Sequence, residues 1–108
     1  MTVKQLQELC GFDILNLADP NREINGVYIG DLLSWVMGRA KSDNVWITIM
    51  SNVNVMAVAS LTDASTIVLA EGVTLTDDVL SVAKDKEINV LKSDMPIYEV
   101  AIKIAEIS

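Results

Sequence analysis

Histidine is absent from the 108 residues, and cysteine occurs once, as Cys10. The first absence excludes Ser-His-Asp and Cys-His catalysis and the common zinc sites. The second excludes an internal disulfide framework and an internally ligated four-cysteine iron–sulfur cluster. Cations are few: 8 Lys and Arg stand against 15 Asp and Glu, for a formal net charge of −7. Nucleic acid is a poor partner for such a chain, because binding there draws on Lys and Arg displacing counterions. An anionic membrane leaflet would repel it. No apolar run approaches the roughly 18 residues of a membrane span, and the start carries no signal-peptide core. The expected location is cytoplasmic. The phosphate-binding strings G-x-x-x-x-G-K-[ST] and G-x-G-x-x-G are also missing. Gly26 and Gly30 flank Val27-Tyr28-Ile29 and serve turns around a short strand.

Hydrophobic residues are plentiful, at 51%, with a mean hydropathy of +0.37. One domain spanning residues 1–108 can bury a core without disulfides or metals. The apolar surplus further suggests a surface hidden by a second copy of the chain. A parallel sheet buried on both faces would also absorb part of it.

A recurrent pattern sets the architecture. Val45–Met50 runs into Ser51-Asn52, Thr66–Ala70 into Glu71-Gly72, and Ile88–Leu91 into Lys92-Ser93-Asp94. Each is a hydrophobic strand ending at a turn and a helix start. The pattern predicts an α/β fold: a mostly parallel sheet with helices on both faces, in a single compact domain. Thr2 is expected to cap a helix over Val3–Cys10, with Leu6 and Leu9 inward and Gly11 as its stop. Phe12–Leu17 and Ile24–Tyr28 read as strands, and Gly30-Asp31 as the opening of a helix. Ser51–Ser65 has room for a crossover helix. Thr76 caps the next, with Asp77 and Asp78 complementing its dipole. Ser93 or Asp94 caps the last, over the stripe Ile97, Val100, Ala101 and Ile104.

In such a sheet a ligand crevice lies beyond the carboxyl ends of the strands. That rim would gather Asn52, Asn54, Glu71, Gly72, Ser93 and Asp94, with Arg22 nearby. Free helix N–H groups there could hold an anion, which Glu71 and Asp94 would oppose. Plain helix capping explains the same residues without a ligand. Trp35 and Met37, with Val53, Val55, Met56 and Val58, form either a dimer or partner surface or a helix buried in the core. Cys10, at a helix end, reads as a buried structural thiol. No catalytic residue, cofactor or metal site is expected.

The turn arginine in Asn21-Arg22 with Ile24-Asn25-Gly26, the segment Gly30-Asp31-Leu32-Leu33-Ser34, and the strand Ile67–Ala70 leading to Glu71-Gly72 together resemble the DRTGG domain family over nearly the whole chain. More distantly, the chain is similar to the N-terminal domain of HPr kinase/phosphorylase. Only Arg22 and Gly72 carry over from the motif; Asn21, Ala70 and Glu71 stand where the family has Asp, Thr and Gly. The resemblance implies an accessory α/β domain without established catalysis, joined in relatives to CBS pairs in pyrophosphatases or to phosphotransacetylase. The expected function is a small non-catalytic regulatory or interaction domain, homodimeric, that binds a partner protein or small metabolite. The alternative is an HPr-kinase-related metabolic regulator or enzyme acting on a phosphorylated metabolite at the strand-end rim.

Overall fold

Val45, Trp46, Ile47 and Thr48 are all fully buried, as are Thr66, Ile67, Val68 and Leu69. Unbroken burial of that kind requires cover on both faces of a sheet, and a computed structural model describing residues 1–107 supplies it. Five strands form one sheet: β1 (Asp13–Asn16), β2 (Val27–Ile29), β3 (Val45–Thr48), β4 (Thr66–Leu69) and β5 (Val90–Lys92). Their order is β1-β5-β4-β3-β2. β2, β3, β4 and β5 run parallel, and β1 pairs antiparallel with β5.

Helices α2 (Leu33–Arg39), α3 (Val53–Thr62) and α4 (Asp77–Asp85) connect the parallel strands in turn. They bury Val36, Val55, Met56 and Ala83 against Trp46, Ile67, Leu69 and Val90. Helices α1 (Val3–Cys10) and α5 (Ile97–Ile107) cover the other face. There Val3, Leu6, Val100 and Ile104 meet Val45, Ile47, Val68 and Leu91. The strand residues alternate between the two cores with the period-2 pleat. Three helices on one face and two on the other follow from the connections: successive crossovers of one hand stack on one side.

The helix ends follow their sequences, with exceptions. Thr2 and Gln5 form a reciprocal capping box at α1, and Gly11 ends it at φ 69°. Leu6 is buried, but Leu9 is exposed, so the inward assignment of Leu9 is corrected. The second strand starts at Val27, later than expected. Asp31 does not cap α2, which has Leu32 at its N-cap with no side-chain bond. Thr76 stands at the N-cap of α4, but its hydroxyl donates to the Asp78 carboxylate rather than accepting from the backbone.

Candidate functional site

Parallel strands β3, β4 and β5 end side by side at Thr48, Leu69 and Lys92. The loop after β4 leads to α4 on one face; the loop after β5 leads to α5 on the other. Adjacent loops that leave in opposite directions open a crevice between their strands, where α/β sheets take ligands. Glu71 and Gly72 stand on one side of this switch point, Ser93 and Asp94 on the other.

The two loops are tied across the gap. Glu71 N–H donates to the Met95 carbonyl at 2.9 Å, and Gly72 N–H to the Ser93 carbonyl at 3.0 Å. Ser93 N–H donates back to the Leu69 carbonyl at 2.8 Å. The Ser93 hydroxyl oxygen accepts from Met95 N–H at 3.1 Å, an internal turn rather than a cap of α5. That cap comes from across the crevice: Glu71 Oε2 accepts from Ile97 N–H at 2.9 Å. A carboxylate at a helix N-terminus also faces the positive end of the dipole. Glu71 adopts φ 61° and Gly72 φ 75°, so two successive residues are left-handed. A Cβ on Gly72 would come 3.4 Å from Asp94 Oδ1. Asp94 itself pairs with Lys92 at 3.6 Å.

Along the rim, Asn52 caps α3, its side chain accepting from Asn54 N–H at 3.0 Å. Asn52 and Asn54 are exposed. The sequence reading missed Asp31, which lies on this rim after β2. Its Oδ1 accepts from the Thr48 hydroxyl at 2.7 Å and from Ile49 N–H at 3.0 Å. It joins the ends of β2 and β3 as Glu71 joins the loops of β4 and β5.

Arg22 is not on this rim, which corrects its expected placement. Its Nη2 lies 2.7 Å from Asp43 Oδ1 and 3.1 Å from Asp63 Oδ1, and donates to the Asp63 carbonyl at 2.9 Å. Asp43 and Asp63 precede β3 and β4, at the amino ends of the strands. Hydrogen bonds from Ser42 and then Arg22 hold the Asp63 carboxyl below its ordinary range. The Asp43 side chain leads the interactions that raise the Arg22 pKa further. A polar cavity of about 410 Å³ opens beside this staple, lined in part by Asp19, Arg22, Ser65, Lys86 and Asn89. Cys10 is buried in the core under α1, and burial pushes its thiol up, against the opposing charge of Lys103. Among the described residues no group of three or more Cys, Asp or Glu is placed to hold a metal, and no helix is long and apolar enough to cross a membrane.

The proposed dimer surface divides. Val55 and Met56 are fully buried and Val58 nearly so, which corrects their assignment: they pack α3 onto the sheet. Trp35, Met37 and Val53 are about half exposed. Arg39 stacks on the Trp35 ring at 3.8 Å.

No family model and no curated protein matches the chain. A solved structure does: the CBS and DRTGG domains of the regulatory region of Clostridium perfringens pyrophosphatase, complexed with its activator diadenosine tetraphosphate. The TM-score is 0.74 at 12% identity, over 95% of this chain and 45% of that one. The chain thus spans less than half of the solved structure it matches. What the two share is the fold, and the fold of this chain is DRTGG-like.

Proposed function

We propose that the chain is a non-catalytic regulatory or interaction domain, homodimeric, which recognises a partner protein through the rim carrying Asn52, Asn54, Glu71, Gly72, Ser93 and Asp94. The regulatory class is supported by the likeness to a regulatory region that binds an activator. The observation that carries the choice of partner is the Glu71 carboxylate on the N–H of Ile97. A phosphorylated metabolite would seek those same helix N–H groups. Here the chain's own anion already holds that place. The crevice is laced shut by backbone bonds, which makes a firm docking face more readily than a phosphate cradle. Such pre-organisation lowers the cost of binding a protein.

A thermal-shift screen of the purified chain against AMP, ATP, acetyl phosphate and sugar phosphates tests this. The expected result is no shift at millimolar ligand. A shift of several degrees, or turnover of any of these compounds, overturns the reading in favour of an enzyme or metabolite sensor.

A further inference from the structure

β2 is an edge strand with its outer side open. Val45 N–H donates to the Gly26 carbonyl, and Gly30 N–H to the Ile47 carbonyl. Those even-numbered groups face β3, so by strand alternation the N–H and C=O of Val27 and Ile29 face outward. The side chains of the same two residues are bare as well. Val27 pairs in register with Val45, and Ile29 with Ile47. Val45 and Ile47 are fully covered by the α1 and α5 layer, but Val27 is 44% exposed and Ile29 47%. The helical cover therefore stops one strand short of the edge. Two helices about 10 Å wide span roughly 20 Å, little more than four strand spacings. An apolar cavity of about 410 Å³ adjoins the bare strand, lined by Leu6, Ile24, Val27, Ile104 and Ile107 among others.

Proteins guard open edges with charge, proline or bulges. Within its three residues, Val27–Ile29, this edge carries no charge, no proline and no bulge, and only its shortness protects it. From Ile24 to Gly38 the only charged side chain is Asp31, an exposed carboxylate whose Oδ1 accepts from the Thr48 hydroxyl and the Ile49 N–H. On a chain with a net charge of −7, an apolar stretch with a single carboxylate, itself engaged by two donors, is where two like-charged copies meet with least repulsion. We propose that a second copy of this chain docks here, β2 against β2 in antiparallel fashion, continuing the sheet across a two-fold axis at Tyr28. This rests on the homodimeric reading above and names its surface. The pairing is self-complementary, as such symmetry demands: Val27 of one copy exchanges both backbone hydrogen bonds with Ile29 of the other. The bare strand faces lie side by side, each with its apolar cavity next to Val27.

Sedimentation velocity and amide hydrogen exchange on the full chain test this together. The expected result is a dimer in which the outward Val27 and Ile29 amides are protected. Ile29→Lys should raise the dissociation constant at least a hundredfold and release both amides, while Trp35→Ala on α2 leaves the dimer intact. If Ile29→Lys does not fold, the Val27→Thr/Ile29→Thr pair keeps strand propensity and serves in its place. A dimer with freely exchanging Val27 and Ile29 amides, or one broken by Trp35→Ala alone, overturns this surface and leaves the homodimeric reading standing. A monomer at the highest soluble concentration overturns both.

Discussion

The Glu71 carboxylate crosses from the end of β4 to accept the Ile97 backbone N–H at 2.9 Å, closing the N-terminus of α5. Ile97 lies 26 residues further along the chain, so the cap is a tertiary contact rather than a local one. Glu71 makes it from a left-handed backbone, φ 61°, that disfavours residues with a Cβ. Two opposed effects therefore meet at one position. Glu71→Ala should lose the cap and keep the strain, costing about 0.5–2 kcal/mol. Glu71→Gly loses the same acceptor but relieves the backbone, and should be the more stable of the two by about 1 kcal/mol. Urea midpoints of both variants check this; an equal loss would mean that the backbone stores no strain.

The amino-end staple is expected to carry acid sensitivity. Asp63 is held below its ordinary pKa by the Ser42 hydroxyl and then by Arg22. The folded state therefore favours the ionised form. That stabilisation is complete above the ordinary carboxylate range and is lost as the pH falls through the lowered folded value. Ser42→Ala should leave the protein less stable at neutral pH and flatten its stability between about pH 5 and 2. Asp63 is largely exposed, so the effect is small. Arg22→Ala removes both ion pairs and the bond to the Asp63 carbonyl, and should destabilise by about 1–2 kcal/mol. Thermal melts across pH give both readings.

Much of the architecture is legible in the sequence, and the differences have physical causes. β3 and β4 declare themselves because continuous burial demands continuous apolar sequence. Arg22 was misplaced because strand direction is not written in a strand. β1 runs antiparallel to the others, so the turn after it falls at their amino ends, opposite the rim. Asp31 looked like a helix cap because Asp prefers that place, but Thr48 and Ile49 offered donors that only the folded sheet brings near. Helix α3 was ambiguous because its apolar residues circle the axis; only packing separates buried Met56 from exposed Val53. The rim residues could be gathered from topology alone, whereas the Glu71 bridge could not.

That division on α3 has a measurable consequence. Met56 is fully buried under the sheet, while Met37 on α2 is about half exposed. Met56→Ala should cost about 2–5 kcal/mol through lost contacts and a residual cavity. Met37→Ala should cost less than about 1 kcal/mol. Denaturant unfolding of the two variants side by side checks the contrast. Comparable losses would place Met37 in an interface as firm as the core.

Asn89 offers the sharpest test of the buried polar framework. It is 4% exposed in the segment entering β5, at the wall of the polar cavity beside the Arg22 staple. Its Nδ2 donates to the Asp19 carbonyl at 2.8 Å and the Ser65 carbonyl at 3.0 Å. Its Oδ1 accepts from Asp19 N–H at 2.8 Å. One amide thus fastens the β1–β2 connection to the start of β4. Asn89→Asp keeps the shape and the acceptor but loses both donors, and sets a carboxylate against two carbonyl oxygens. The expected loss at neutral pH is about 3 kcal/mol, because a buried carboxylate held by the Asp19 N–H alone and facing two carbonyl oxygens is costly. The variant carboxyl should have a raised folded pKa. Its penalty is therefore full at pH 7 and shrinks as the pH falls, when the protonated acid regains one donor. Paired unfolding curves at pH 7 and pH 4.5 should show the gap to wild type narrowing. A gap that widens on acidification would mean that the donors of Asn89 do not hold the two carbonyls together.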